Sequence, residues 1–100
     1  MVIWLIGISG AGKTTIGKQL YEIKKSEEES WIYLDGDDLR EVWGGMLGHS
    51  VEDREVNAKR ISKLCKLLDD HRINVIASVL SIFPHWQKWN RETFSNYFEI

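Results

Sequence analysis

Residues Gly7-Ile8-Ser9-Gly10-Ala11-Gly12-Lys13-Thr14 fit G-x-x-x-x-G-K-[ST] at every fixed position. A continuous apolar run, Val2-Ile3-Trp4-Leu5-Ile6, precedes them, and a stretch with Ile16, Leu20 and Ile23 at helical spacing follows. Strand, glycine-rich turn and helix together are the context a phosphate-binding P-loop requires. The glycines let successive backbone N–H groups turn toward phosphate oxygens, and the helix adds its positive dipole end. In such a loop Lys13 reaches the β- and γ-phosphates and Thr14 holds Mg²⁺. A dinucleotide-binding turn is excluded by the spacing, and the Lys-Thr pair suits a nucleoside triphosphate with Mg²⁺.

The rest of the chain repeats the alternation. Trp31 to Leu34 reads as a second strand ending at Asp35-Gly36-Asp37, with a short helix expected from Asp38 to Trp43. Ser50, with Asp53 three residues on, marks a helix start. Val56, Ile61, Leu64, Cys65 and Leu68 keep helical spacing to about His71. Asn74 to Leu80 is a third buried strand, Pro84 opens a helix through Trp86, Trp89 and Phe94, and a fourth strand begins at Tyr97. This order predicts an α/β fold of the P-loop NTPase class: βαβ units forming a parallel sheet with flanking helices. Ligands of such sheets bind beyond the carboxyl ends of the strands. The polar clusters 7–15, 35–40 and 78–81 all fall at that edge.

With 100 residues the chain has room for a single domain. Its 43% hydrophobic content supports a core, and a net charge of −2 argues against nucleic-acid or membrane-surface partners. The single cysteine, Cys65, excludes an internal disulfide and suits a reducing cytoplasm. The apolar start is too short for a signal peptide or a membrane span. Asn96 to Ile100 reads as an opening strand with no polar tail, so the chain is expected to be the N-terminal part of a longer protein and its fold C-terminally incomplete.

Asp35 and Asp37 are the candidate groups for chemistry on the γ-phosphate: one orienting Mg²⁺ through water, one accepting a proton from an attacking hydroxyl. The competing reading is a turn with a helix cap, a role that Asp38 fits better. The guanine-reading N-K-x-D of GTPases is absent from these residues. Arg40, Arg54 and Arg60 are candidate clamps for a second anionic substrate.

Three blocks, Gly7 to Thr15, Leu34-Asp35-Gly36-Asp37-Asp38-Leu39-Arg40, and Leu47-Gly48-His49-Ser50-Val51-Glu52-Asp53-Arg54-Glu55-Val56-Asn57, resemble adenylyl-sulfate (APS) kinase in order and spacing. The resemblance implies one P-loop kinase domain over 1–100, with the phosphate loop at 7–15, the Asp-Gly-Asp segment at 35–40 and the start of a substrate-side helix at 47–60. It implies transfer of the ATP γ-phosphoryl group to the 3′-hydroxyl of adenosine 5′-phosphosulfate. Gly7, Ser9, Gly10, Ala11, Gly12, Lys13, Thr14 and Thr15 would bind ATP; Asp37 would be the base; Thr14 and Asp35 would serve the metal. Arg40, His49, Arg54, Asn57 and Ser81 would face the substrate nucleotide, and family members are often homodimers.

Two departures bear on the acceptor. His49 stands where the family usually has a phenylalanine that stacks on adenine. The segment Ser81 to Arg91 carries an extra residue and two tryptophans where the family has a serine-proline turn and basic residues. Similar sequences include kinases of cytidine diphosphoramidate, whose smaller ring needs less stacking area, so that acceptor is the alternative. A non-catalytic ATP-binding domain is the second alternative. A lid and later strands that complete such kinases do not appear before Ile100, so these 100 residues alone are expected to bind ATP·Mg²⁺ weakly and turn over poorly.

Overall fold

The computed structural model describes residues 1–6, 13–25, 30–44, 50–79 and 83–100, with side chains described for all of these except 13–16 and 24–25. Strand β1 is Val2–Ile6, helix α1 Lys13–Lys25, β2 Trp31–Asp35, α2 Gly36–Val42, α3 Val51–Asp70, β3 Asn74–Val79, α4 Pro84–Thr93 and β4 Tyr97–Glu99. The strands form one sheet in the order β2-β3-β1-β4, every pair parallel. The register sets Ile6 beside Val79 and Asp35 beside Ser78. The chain leaves β1 toward β2 on one side and leaves β3 toward β4 on the other. The connections therefore part at the β3–β1 boundary, the kind of switch point where open α/β sheets bind ligands.

Both faces of the sheet are covered, as the unbroken apolar character of β1 predicts. Side chains of a strand alternate between faces. Val2 and Trp4 accordingly join Val75, Ala77 and Val79 under Ile61 and Cys65 of α3, whereas Ile3, Leu5, Trp31 and Ile76 face Leu20 and Tyr21 of α1. The Cys65 thiol is fully buried, and burial together with the nearby Asp69 charge pushes its pKa up to about 12, so it is a core group. Two residues expected on apolar stripes are instead exposed, Ile23 at 62% and Val56 at 37%, because the sheet covers a narrower arc of each helix than the periodicity spans.

Helix boundaries follow local chemistry. Ser50 caps α3, its Oγ accepting from the Asp53 N–H at 3.1 Å, and Pro84 occupies the first turn of α4. Helix α3 ends with paired bonds from Arg72 N to Asp69 O (3.0 Å) and from Ile73 N to Leu68 O (2.9 Å). That is a Schellman closure, with Arg72 left-handed at φ 61° where glycine is usual. Helix α2 departs from expectation: it begins at Gly36, directly after β2, and Asp35 rather than Asp38 is its cap.

Candidate active site

The candidate site lies at the carboxyl ends of β2 and β3. Asp35 ends β2 in extended geometry (φ −98°, ψ 130°) and its Oδ1 accepts from the Asp37 N–H at 2.8 Å. One residue thus closes a strand and opens a helix. This places Asp37 and Asp38 in the first turn of α2, where the helix dipole favours their charge. Gly36 eases a close approach, since a Cβ there would lie 3.0 Å from the Ser78 backbone oxygen. The strand–helix junction therefore sits tight against β3.

Three side chains hold this junction. Asn57 of α3, 4% exposed, donates from Nδ2 to the Gly36 carbonyl at 3.2 Å and accepts from Trp43 Nε1 at 2.7 Å. Arg40, 7% exposed, donates from Nη1 to Asp37 Oδ1 at 3.1 Å, while the Asp37 side chain is 61% exposed. On the α1 face, the Tyr33 hydroxyl lies 2.9 Å from Ser78 Oγ and 3.5 Å from Asp35 Oδ2.

Asp35, Asp37, Arg40 and Asn57 are therefore brought together around α2. Asn57, expected against substrate, is buried and bonded to both ends of the α2 segment. Arg54 is exposed on the first turns of α3. Arg60 lies over the Trp43 ring at 5.9 Å, a cation–π placement rather than an open anion clamp. Gly7, Ser9, Gly10, Ala11, Gly12, His49 and Ser81 lie outside the described residues. Lys13, Thr14 and Thr15 form the first turn of α1, with their side chains outside the described set.

The tryptophans of α4 divide. Trp89 packs on the core, with Lys63 Nζ 4.6 Å from its ring. Trp86 lines a cavity of about 280 Å³ with Glu52, Glu55, Val56 and Lys59. Sequence reasoning set Ser78 in the polar cluster at the sheet edge but gave it no role, and it missed Tyr33. The available signals were a hydroxyl two residues before Asp35 on the same strand face, and a serine inside a buried strand.

Among the described residues no group of three His, Cys, Asp or Glu could hold a metal alone. Mg²⁺ itself keeps several waters and takes one or two carboxylates plus substrate phosphates. Asp35 retains lone pairs for such a water, since each carboxylate oxygen accepts twice.

The family model for adenylylsulphate kinase matches residues 1–100. The chain belongs to the adenylylsulphate kinase family. It is 43% identical to the cytidine diphosphoramidate kinase of Campylobacter jejuni over 99% of this chain and 58% of that protein. It is 41% identical to the adenylyl-sulfate kinase of Pseudomonas aeruginosa over 91% of this chain and 46% of that protein. The chain spans about half the length of the curated relatives it matches. The Mycobacterium tuberculosis APS kinase in complex with AMPPNP and APS superposes with a TM-score of 0.80 at 28% identity, over 98% of this chain and 59% of that one. A hexameric APS kinase from Thiobacillus denitrificans gives 0.86 at 25% identity, over 98% and 21%. The parallel sheet with its flanking helices is thus the P-loop fold of this kinase family. Among the described residues no helix is long and apolar enough to cross a membrane.

Proposed function

We propose that this chain carries the phosphate-loop half of a kinase that transfers the γ-phosphoryl group of ATP to the 3′-hydroxyl of adenosine 5′-phosphosulfate. The observation that carries the reading is the Asp35-Gly36-Asp37 junction, held at the carboxyl edge of the sheet with an exposed Asp37 carboxylate. In the transfer the 3′-oxygen bonds to the γ-phosphorus, the bond to the β–γ bridging oxygen breaks, and ADP leaves. Asp37 takes the hydroxyl proton, with Arg40 fixing its carboxylate from one side. Lys13 and the backbone of 7–15 hold the triphosphate, and Arg54, His49 and Ser81 face the acceptor. Mg²⁺, served by Thr14 and by Asp35 through water, would neutralise charge on the β- and γ-phosphates.

A second acceptor, cytidine diphosphoramidate, is favoured by His49 in place of a stacking phenylalanine and by the 43% identity to the Campylobacter kinase. ADP release by the full-length natural chain, with each acceptor in turn, tests both readings. Turnover with adenosine 5′-phosphosulfate supports the first, and turnover with the cytidine compound alone supports the second. ATP binding without turnover on either leaves a nucleotide-binding domain. The same preparation tests a homodimer by its mass in solution, and a cytoplasmic location fits the single buried thiol.

A further inference from the structure

Tyr33 stands between the helix that follows the phosphate loop and the carboxylate at the end of β2. Its ring fills the space in front of Gly17 on α1: a Cβ at Gly17 would come within 2.5 Å of Tyr33 Cε1 and 2.9 Å of its hydroxyl. The hydroxyl is anchored on Ser78 Oγ, which is 1% exposed, and lies 3.5 Å from Asp35 Oδ2. Asp35 and Ser78 are register partners on adjacent strands. One rigid side chain therefore touches α1, β3 and the Asp35 carboxylate.

The geometry points to Tyr33 as a positioning residue: its Ser78-anchored hydroxyl limits the rotamers of Asp35, the carboxylate that would hold a metal-bound water when Mg²⁺·ATP is bound. This rests on the reading of Asp35 as a carboxylate serving Mg²⁺. Oδ1 accepts from the Asp37 N–H at 2.8 Å, and the longer 3.5 Å contact from the Tyr33 hydroxyl bounds Oδ2 on the α1 side. Hydrogen-bond partners behind a direct metal ligand orient it, and their loss costs roughly 10–100-fold in metal affinity or activity; behind a carboxylate that acts through water the lower end of that range is expected.

The test is ATP binding by the full-length natural chain, followed by calorimetry across a range of Mg²⁺ concentrations. It compares the parent protein with Tyr33→Phe, Asp35→Asn and the double variant. Tyr33→Phe keeps the ring against Gly17 and is expected to raise the Mg²⁺ concentration for half-maximal ATP affinity about tenfold. In the Asp35→Asn background it should add nothing. An unchanged Mg²⁺ requirement in folded Tyr33→Phe overturns the proposal, as do additive shifts in the double variant or Mg²⁺-independent ATP binding by the parent. Ser78→Ala, which removes the anchor from the other side, should shift the requirement in the same direction and carries the test if Tyr33→Phe does not fold. Failure of the parent to phosphorylate either acceptor would remove the kinase reading while leaving this titration decisive for Tyr33.

Discussion

Arg40 and Asp37 form a one-sided ion pair: the guanidinium is buried, and the carboxylate it reaches at 3.1 Å is largely in solvent. Three residues apart on α2, they share a helix face. A buried guanidinium that loses its carboxylate is costly, whereas an exposed carboxylate that loses its guanidinium is not. Arg40 is therefore structurally committed to Asp37, and any contact it makes to an anionic substrate must use the other donors of its fork.

Asp37→Asn separates charge from shape. The amide oxygen can still accept from Arg40, but the buried guanidinium loses its counter-charge, so the melting temperature should fall by several degrees while the fold is kept. Loss of a general base should lower kcat of the full-length chain by about 10²–10⁴-fold with little change in ATP affinity. Steady-state kinetics beside a thermal melt check both. An increase in KM with kcat intact would move Asp37 to substrate binding.

Asn57→Ala removes both bonds, the one to the Gly36 carbonyl and the one from the part-buried Trp43 indole N–H. A lost hydrogen bond costs about 0.5–1.5 kcal/mol net and a donor left without a partner up to about 3 kcal/mol, so unfolding in urea should show a loss of roughly 1–4 kcal/mol. A loss below about 0.5 kcal/mol would mean the two bonds do not hold the junction.

Arg72→Gly tests the end of α3. The left-handed conformation at φ 61° costs a non-glycine residue about 1–2 kcal/mol. Glycine removes that strain but adds entropy to the unfolded chain, so a net gain of about 0.5–1 kcal/mol is expected. Destabilisation in the same urea titration would show that the Arg72 side chain contributes more than its backbone strain costs.

Asp69 makes folding sensitive to acid. Burial alone would raise its pKa, but hydrogen bonds from the Met1 ammonium (2.9 Å) and from the Ser95 N–H (3.1 Å) and hydroxyl (2.9 Å), with the ammonium charge, hold it below the ordinary 3.8. A carboxylate depressed in the folded state contributes stability that is complete above its unfolded pKa. That contribution disappears as pH falls through the lower, folded value. The parent should therefore lose stability below about pH 4 more steeply than Asp69→Asn. Urea midpoints measured from pH 6 down to 2 decide it, and parallel curves would show that Asp69 does not contribute.

Most boundaries were legible because their causes are local. The unbroken apolar run of β1, the Ser50 cap and Pro84 at the start of α4 each act within a turn or two of chain. The cap of α2 was not legible: Asp35, Asp37 and Asp38 could each serve. The choice depends on where β2 stops, and that is set by pairing with Ser78 and by the close approach of Gly36 to its carbonyl. The Tyr33–Ser78 bond spans 45 residues, and Asn57 reaches 21 residues back to Gly36. The family resemblance named Asn57 as a substrate contact, but only the packing shows its polar atoms turned inward to the junction.

Gly17→Ala sets a local preference against that packing. In an isolated helix alanine would be favoured over glycine by about 1 kcal/mol. Here the added methyl would sit 2.5 Å from Tyr33 Cε1, well inside contact distance, so the ring must shift, and its 2.9 Å hydroxyl contact with Ser78 opposes that shift. Overpacking costs about 1–3 kcal/mol, so the variant should be less stable than the parent despite the helix gain. Ring displacement should also loosen Asp35, so the Mg²⁺ requirement for ATP binding should rise as in Tyr33→Phe. Stability lost with an unchanged Mg²⁺ requirement would separate the packing role of Tyr33 from its hold on Asp35. A more stable Gly17→Ala would mean that the ring moves freely, and that its contact with α1 constrains neither helix nor carboxylate.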